Sequence, residues 1–272
     1  MHPILLKIGS INIYTYGSLL CLAFLAALWV AGREAQRVGL PPGRIWDLGF
    51  YLIAAAVVGA RVLEVFLNLH RYLESPLDIF KVWDGGLAFQ GGLLLGVIVV
   101  LAFTLHHRLP IWGTLDVLAL GVPLGHSIGR IGCLMAGCCY GRPTDLPWAV
   151  TFTDPQTLGP RGVPVHPTQL YESLLYLLVF GFILWLRKRK SFQGELFGTY
   201  LLLAGLARFA VEFFRGDPRG PAVVAGMPVT QVTALVTALV GAVLLILGFC
   251  RLLPGRSVTP PPGSISRVKG NS

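Results

Sequence analysis

The chain has 272 residues, of which 54% are hydrophobic and 13% are charged, and its mean hydropathy is +0.68. This composition excludes an ordinary soluble domain and predicts an all-α polytopic membrane protein. The formal net charge of +9 lies mostly in connections and the tail, which suits an anionic membrane surface. Because the sequence has no basic patch with interleaved aromatic residues, we expect no nucleic-acid partner.

Seven apolar stretches approach or exceed the roughly 20 residues that a helix needs to cross about 30 Å of hydrocarbon. In chain order they cover approximately residues 14–31, 47–69, 85–105, 111–129, 166–186, 194–214 and 229–252. Residues 1–253 therefore predict a single membrane domain of seven transmembrane helices. The Pro-, Gly- and Ser-rich residues 254–272 predict a disordered tail.

A small extramembrane segment, residues 142–165, separates the fourth and fifth predicted helices. It is rich in Pro, Thr and Asp, and it also contains large aromatic residues. We expect this segment to be ordered, with a short strand pair between Trp148 and Phe152.

The distribution of Lys and Arg among the connections predicts the orientation of the domain. Cations are more numerous on the side that holds the run from Arg187 to Lys190 and the C-terminal tail. Because cytoplasmic loops are enriched in Lys and Arg, the N-terminus is predicted to lie outside and the C-terminus in the cytoplasm. This orientation brings residues 125–172, the start of the third helix and the end of the sixth helix to the outer face.

Charged side chains interrupt the second and sixth predicted helices, where such groups are costly and are usually retained for a partner or a substrate. In the second helix, Arg61 and Glu64 share a face and can pair, either as a structural lock or as part of a site. In the sixth helix, Arg208, Glu212 and Arg215 form one stripe. Two arginines against one glutamate leave a spare positive charge, which favours an anionic ligand.

The stretch from Gly125 to Gly141 is the strongest candidate for chemistry. Its five glycines allow sharp turns and close approach to a ligand, and they surround a single arginine, Arg130. A guanidinium stays charged and presents a planar fork that suits a phosphate. An interfacial loop whose arginine only reaches the headgroups is the alternative interpretation. The same stretch contains Cys133, Cys138 and Cys139, whose spacing fits neither a CxxC motif nor a usual zinc pattern.

Polar residues from other predicted helices join Arg130 on the outer face. Two glycine pairs surround Gln90 at the start of the third helix, and Gln169 and Glu172 share a face where the fifth helix begins. Together these groups predict a polar, net-positive pocket at the membrane boundary, for which a phospholipid headgroup is the natural anionic ligand. The residues of this predicted pocket are Tyr16, Gln90, Arg130, His166, Glu172, Arg208, Glu212 and Arg215.

Five motifs carry a resemblance to a known family. They are Tyr16-Gly17, Gln90-Gly91-Gly92-Leu93, the stretch from Gly129 to Gly141, His166-Pro167-Thr168-Gln169-Leu170-Tyr171-Glu172 and the stretch from Arg208 to Arg215. In these motifs, and in their order along nearly the whole chain, the sequence resembles the prolipoprotein diacylglyceryl transferases of bacterial inner membranes. Each motif alone is a weak signal, but their common order makes the resemblance specific.

The resemblance implies transfer of the diacylglyceryl group of phosphatidylglycerol to the lipobox cysteine of a prolipoprotein signal peptide, on the periplasmic side of the membrane. The products would be a thioether-linked lipid and glycerol phosphate, and no metal, nucleotide or other cofactor would be required. By position, Arg130 and Arg208 would hold the phosphate, and Glu212 would orient Arg208 or take part in proton transfer. His166 and Gln90 complete the candidate catalytic residues. The remaining candidate substrate-binding residues are Tyr16, Gly91, Gly92, Gly132, Gly141, Gln169, Tyr171, Glu172 and Arg215.

The chain departs from the family pattern at the residue expected to activate the thiol. The family commonly has histidine at the position of Gln90, and glutamine cannot accept a proton at neutral pH. Either the arginines favour the thiolate, or another group such as His166 or a carboxylate accepts the proton. The family also usually has asparagine at the position of Cys133 and glutamate at that of Cys138, which leaves the role of the cysteines open.

Two functions of other classes are also considered. A membrane thiol oxidoreductase or metal site could use Cys133, Cys138 and Cys139, although the sequence lacks CxxC and a pair of quinone or haem histidines. An anion transporter could use the charged helices as a substrate path, although the sequence shows no internal repeat and its polar groups gather on one face.

Overall fold

The computed structural model describes residues 2–8, 11–81, 86, 88–217, 222–224 and 226–250. Among them, seven helices have 18 or more residues, and these helices coincide in position with the seven predicted stretches. In chain order, the helices are α1 (Thr15–Val38), α2 (Pro42–Leu67), the short α3 (Leu69–Glu74), α4 (Phe89–His106), α5 (Ile111–Ala136), α6 (Thr168–Leu186), α7 (Glu195–Glu212) and α8 (Val229–Phe249). A 3₁₀ turn, Pro76–Phe80, follows α3.

Five of these helices, namely α1, α2, α5, α6 and α8, are long and apolar enough to cross a membrane, in the part of the chain that the structure describes. Helix α4 is also apolar, but the part of it from Gln90 to His106 is shorter than the 18 residues taken as the minimum for a membrane span. Helix α7 differs because Glu195, Arg208 and Glu212 interrupt its 18 residues. The prediction of an all-α polytopic membrane protein is confirmed at this level.

Among the residues that the structure describes, three short two-stranded sheets lie between or before the helices. The first is an N-terminal hairpin of β1 (Ile4–Ile8) and β2 (Ile11–Tyr14), which the sequence analysis did not predict. In the segment between α5 and α6, β3 (Val150–Thr151) pairs with β4 (Pro164–Val165). One strand therefore lies within the predicted residues 148–152, but its partner lies 14 residues further along the chain and not within that range. The third sheet joins β5 (Ala222–Val224) to β6 (Met227–Pro228). The predicted disordered tail lies outside the described residues.

Small residues set the closest helix contacts, as is usual where lipid replaces water around a bundle. Helix α1 packs on α5, where a Cβ at Gly121 would overlap the carbonyl oxygen of Ala27. Helix α7 packs on α8 in the same way, because a Cβ at Gly205 would lie 2.6 Å from the carbonyl oxygen of Ala234. These contacts fix the rotation of each helix about its axis, and therefore the direction in which its polar residues point.

Arg61, which lies on the same face of α2 as Glu64, fixes the connection that precedes α4. Its guanidinium donates to the carbonyl oxygens of Ile79 at 2.9 Å and of Gly86 at 2.8 Å. Glu64 accepts a hydrogen bond from Asn68 at 2.9 Å. These contacts support the structural interpretation of the polar face of α2.

Two buried acids hold the cationic run that follows α6. Glu34 of α1 accepts a hydrogen bond from Arg187 at 2.9 Å, and Asp116 of α5 forms an ion pair with Lys190 at 3.2 Å. Asp116 also accepts hydrogen bonds from the backbone N–H groups of Gly194 and Phe197, at 2.9 and 3.0 Å. A carboxylate from α5 therefore caps the N-terminus of α7, where the helix dipole favours an anion. In the sequence, this run indicated only the end of the fifth span and the orientation of the domain, and neither acid was recognised as its partner.

Replacing Asp116 with alanine is expected to reduce the free energy of unfolding by about 3–5 kcal/mol, because it leaves Lys190 and the first turn of α7 without their buried partner. The measurement is the melting temperature in detergent. Asp47→Ala is the control, because its carboxylate is about half exposed and lies 3.7 Å from Arg44, so little change is expected. Equal losses in the two variants would contradict the capping role of Asp116.

Candidate active site

A fully buried carboxylate holds two guanidiniums from two other helices. Oε1 of Glu172, in α6, lies 3.0 Å from Nη2 of Arg130 in α5 and 3.0 Å from Nη1 of Arg208 in α7. Arg215 also approaches this carboxylate, with Nη1 at 3.8 Å from Oε2. The structure thus brings together the arginines that the sequence analysis placed in one pocket, around a glutamate from the same prediction. We refer to Arg130, Arg208, Arg215 and Glu172 as the arginine cluster.

A second carboxylate connects the arginine cluster to α8. Nη2 of Arg208 lies 3.1 Å from Oε2 of Glu212, one turn further along α7. The hydroxyl of Thr230, in the first turn of α8, donates to Oε1 of Glu212 at 2.6 Å. Arg208 is therefore held between two carboxylates, and its guanidinium plane is fixed from both sides.

The charges of the site are more nearly balanced than the sequence analysis expected. Arg215 forms a two-point hydrogen bond with Asp217, at 2.9 and 2.8 Å. The guanidiniums of Arg130, Arg208 and Arg215 thus face the carboxylates of Glu172, Glu212 and Asp217. The spare positive charge inferred from the sequence has an acidic partner in Asp217, two residues beyond the predicted stripe.

Two of the arginines keep an open side. About one sixth of the side-chain surface of Arg130 and Arg208 is exposed (16% and 18%), whereas only 2% of Arg215 is exposed. Nε of Arg130 is buried and, among the described residues, has no hydrogen-bond partner. Buried polar groups without partners are rare and indicate a ligand or water that completes them. Arg130 and Arg208 can therefore accept an anion without releasing all of their protein partners.

The turn after α5 is held by buried side chains of α6. Thr168 donates to the carbonyl oxygen of Cys139, and Gln169 donates to that of Cys138, both at 2.7 Å. Gly141 forms an antiparallel bridge with Arg215, and a Cβ there would lie 2.6 Å from the carbonyl oxygen of His166. In the structure, Gln169 and Gly141 thus position backbone around the arginine cluster.

His166 belongs to an aromatic group beside the arginine cluster. Its Nδ1 lies 3.2 Å from the hydroxyl of Tyr171, which also accepts a hydrogen bond from Nε1 of Trp148 at 2.8 Å. The ring of Phe214 lies 5.3 Å from that of His166, edge to face. Trp148 and Phe214 were not among the candidate site residues. This aromatic group could not be predicted from the sequence, because it depends on a tertiary contact between the extramembrane segment and α6.

The other candidate residues lie at helix crossings or on the exposed surface. Tyr16 of α1 is partly exposed, and a Cβ at Gly132 would lie 3.3 Å from its ring, so these two residues mark the crossing of α1 and α5. A Cβ at Gly92 would lie 2.7 Å from the carbonyl oxygen of Ala56, which makes close packing of α4 on α2 a function of this glycine. The side chain of Gln90 is exposed and makes no hydrogen bond to any described residue.

His126 was not among the candidate residues predicted from the sequence, although it lies one helical turn before Arg130 in the glycine-rich stretch. Its ring stacks on that of Tyr176 of α6, with centroids 3.8 Å apart. The neighbouring Ser127 and Ser173 are hydrogen bonded at 3.0 Å, which ties the same turns of α5 and α6 together. The spacing of four residues from Arg130 was the available signal, since it places both side chains on one face.

The Gly91→Ala variant is expected to lose about 1–3 kcal/mol of stability, because its new methyl group would overlap the carbonyl oxygen of Gly59 in α2. Gly96→Ala is a matched control in the same helix, since its methyl group would contact only Leu52, at 3.7 Å. Melting temperatures in detergent measure the difference. A stable Gly91→Ala protein with a raised KM for lipid would instead support the predicted role of Gly91 in substrate binding.

Known proteins that are similar to this chain identify its family. The model of the family described as prolipoprotein diacylglyceryl transferase matches residues 3–247. The chain belongs to this family. Proteins named phosphatidylglycerol–prolipoprotein diacylglyceryl transferase are similar to it over most of its length. The protein from Clostridium tetani is 32% identical over an alignment that covers 89% of this chain and 95% of that protein. The protein from Methylococcus capsulatus is 35% identical, with coverages of 92% and 97%. The protein from Vibrio parahaemolyticus is 39% identical, with coverages of 79% and 78%.

Membership of the prolipoprotein diacylglyceryl transferase family confirms the resemblance found in the sequence. The match extends from the N-terminal hairpin to the last turn of α8, so it includes every helix that contributes to the arginine cluster. The chain is therefore a transferase embedded in a membrane. The thiol oxidoreductase and the anion transporter are not favoured as its activity.

Proposed function

We propose that this chain transfers the diacylglyceryl group of phosphatidylglycerol to the lipobox cysteine of a prolipoprotein signal peptide. The observation that carries the proposal is the pair Arg130 and Arg208, both 3.0 Å from one oxygen of Glu172 and both open on one side. Two fixed guanidiniums at the end of a membrane bundle suit a lipid phosphate. The names of the similar proteins support the choice of both substrates.

In the proposed reaction, sulfur displaces a phosphate ester. The cysteine thiol loses its proton, and the thiolate forms a bond to the glyceryl carbon that bears the phosphate. The carbon–oxygen bond breaks, and its electron pair leaves on the phosphate oxygen, so the products are a thioether and glycerol phosphate. Negative charge grows on that oxygen in the transition state. Arg130 and Arg208 stabilise it as donors whose positions are already fixed.

The neighbouring residues take supporting roles in this proposal. Glu172 holds Arg130 and Arg208 on one carboxylate oxygen, and Glu212 fixes the plane of Arg208. Tyr16, Gly91, Gly92, Gly132 and Gly141 remain candidates to line the lipid path. His166 and Tyr171 remain candidates to contact the headgroup or the peptide, whereas the buried Gln169 and Arg215 would position the turn after α5 beside them.

We further propose seven transmembrane helices within residues 1–253, with the N-terminus outside and the C-terminus in the cytoplasm. The structure supports this arrangement because Glu172 and the cationic run 187–190 lie at opposite ends of α6, whose 19 residues extend about 28 Å. Helix α7 likewise begins beside the cationic run and ends beside the arginine cluster. With the run in the cytoplasm, the site faces the periplasmic leaflet of a bacterial inner membrane.

A transfer assay with purified protein in detergent tests the proposed function. A lipobox peptide and phosphatidylglycerol are expected to yield a peptide that has gained the mass of one diacylglyceryl group, together with glycerol phosphate. A peptide with serine in place of its cysteine is the control and should remain unmodified. Absence of the thioether product under conditions where the protein keeps its melting transition would contradict the proposal.

A further inference from the structure

Three cysteine thiols form a cluster beside the arginine cluster. The Sγ atoms of Cys133, at the end of α5, and of Cys138 and Cys139, in the turn that follows, all lie within 4.8 Å of one another. Zinc–sulfur bonds of about 2.3 Å place the sulfurs of a tetrahedral site about 3.8 Å apart. Movements of about 1 Å or less would therefore complete a three-sulfur site. We refer to these residues as the thiol cluster.

The backbone that presents the thiol cluster is held in an unusual conformation. Cys139 has a φ of +64°, in the left-handed region that residues other than Gly, Asn, Asp and His rarely adopt. The hydrogen bonds from the buried Thr168 and Gln169 to the carbonyl oxygens of Cys139 and Cys138 hold this turn in place. Strained residues that the surrounding structure enforces are concentrated at functional sites.

Positively charged side chains lie beside the thiol cluster. Nη1 of Arg130 lies 3.9 Å from Sγ of Cys133. The guanidiniums of Arg130 and Arg215 also place positive charge near the thiol of Cys139. Because a metal binds thiolates and neighbouring cations stabilise them, the cluster is prepared for a soft divalent ion.

We propose that Cys133, Cys138 and Cys139 bind a Zn²⁺-type thiophilic ion whose fourth position takes the sulfur of the acceptor cysteine. This inference rests on the proposed function and departs from the expectation that no metal is required. Three protein ligands with one open position are the usual arrangement of a catalytic zinc ion. A thiol that coordinates the ion is deprotonated outright. The site would thereby provide the activation that the amide of Gln90 cannot provide.

The chemistry balances without an added oxidant or reductant. The acceptor thiol releases its proton to water as its sulfur binds the ion, and the ion keeps its charge throughout. The sulfur then forms the bond to the glyceryl carbon, and the electron pair of the broken bond leaves on the phosphate oxygen beside Arg130. Because Arg130 contacts both Glu172 and Cys133, the phosphate and the attacking sulfur would meet across this residue.

Metal content and X-ray absorption at the zinc edge test the site with Zn²⁺ alone. About one Zn²⁺ per chain is expected, with three sulfurs at about 2.3 Å, and a lipobox peptide should add a fourth sulfur. A serine peptide should add none. Binding of less than a tenth of an equivalent of Zn²⁺, a shell without sulfur, or no change on addition of the cysteine peptide would each overturn the proposal.

Variants separate this site from the remaining cysteines. Replacement of Cys133, Cys138 and Cys139 by serine should abolish Zn²⁺ binding, whereas the Cys21→Ser, Cys250→Ser double variant should retain it. The spectra of the unmodified protein decide the question even if the triple variant fails to fold. Retention of Zn²⁺ by a folded triple variant would overturn the proposal.

Activity distinguishes failure of this inference from failure of the proposed function. Removal of the ion by a chelator should lower kcat/KM by about 10²-fold or more, as expected for loss of a group that activates the thiol, and added Zn²⁺ should restore it. Undiminished transfer by metal-free protein would overturn the metal site and leave the proposed function intact. Zinc binding with three sulfurs but no transfer from phosphatidylglycerol would contradict the proposed function instead.

Discussion

Replacing Arg208 with alanine is expected to lower kcat/KM for diacylglyceryl transfer by about 10²–10³-fold, the usual effect of removing one donor that is fixed toward a developing charge. The guanidinium contacts Glu172 and Glu212 through different nitrogens, at 3.0 and 3.1 Å, which leaves its remaining N–H groups in a fixed plane. Arg208→Lys should also lose most activity, because an ammonium group cannot bridge both carboxylates and a phosphate. The measurement is the rate of thioether formation at several concentrations of phosphatidylglycerol.

Arg33→Ala is the control for the loss of an arginine from a membrane helix. Arg33 is exposed in α1 and lies over the ring of Trp29, 4.8 Å from its centroid, without a link to the arginine cluster in the part of the chain that the structure describes. Its replacement should leave kcat/KM roughly unchanged. Normal transfer by a folded Arg208→Ala protein would contradict the proposed role of Arg208 at the phosphate.

Hydropathy was sufficient to locate the helices because lipid requires long continuous apolar stretches, but it placed the ends of α1 and α5 too early. Helix α1 continues to Val38, seven residues beyond the predicted end at Ala31, because Glu34 is buried and bonded to Arg37 and Arg187. A charged residue ends an apolar stretch in the sequence. The helix nevertheless continues past it when distant parts of the chain provide ion-pair partners for the buried charge. Such partners have no signal in the local sequence, since Arg187 lies 153 residues from Glu34.

The N-terminal hairpin shows a structure that hydropathy could not distinguish from a helix. Strands β1 and β2 hold residues such as Leu6 and Ile13, which pair across the hairpin in a short apolar region. A short apolar segment beside a membrane helix is equally compatible with a strand or with a longer helix, and periodicity does not separate them. Gly9 and Ser10, between the two strands, lie outside the described residues.

The site was predictable as a set of residues and unpredictable as a set of contacts. Helical spacing and the distribution of cations placed Arg130, Arg208 and Glu172 on one face of the membrane, and the structure brings their charged groups within 3.0 Å. Spacing could not show that one oxygen of Glu172 is shared by both arginines. It also could not show that Asp217 balances Arg215, because Asp217 lies beyond the end of α7, where there is no helical periodicity from which to infer a partner.

Replacing Glu172 with glutamine is expected to have the largest effect on stability and activity together. The side chain is fully buried, and its loss of charge leaves Arg130, Arg208 and Arg215 without their shared partner. Breaking a buried ion pair from one side costs about 3–5 kcal/mol, so the melting temperature in detergent should fall substantially. Transfer should fall by at least about 10²-fold in protein that remains folded, because the guanidiniums lose their spacing.

A double-mutant cycle separates the arrangement of the arginines from a chemical role of the carboxylate. If Glu172 acts by holding Arg208, the Arg208→Ala and Glu172→Gln effects on kcat/KM should be strongly non-additive, with a coupling of about 0.5–3 kcal/mol. Glu74→Gln is the control, since this exposed glutamate contacts only the exposed His70, at 3.2 Å, among the described residues. Additive effects would indicate that Glu172 contributes independently of Arg208, as expected if the carboxylate accepts the thiol proton. An unchanged melting temperature and rate in Glu172→Gln would contradict both roles, because the buried charge would then serve neither the fold nor the reaction.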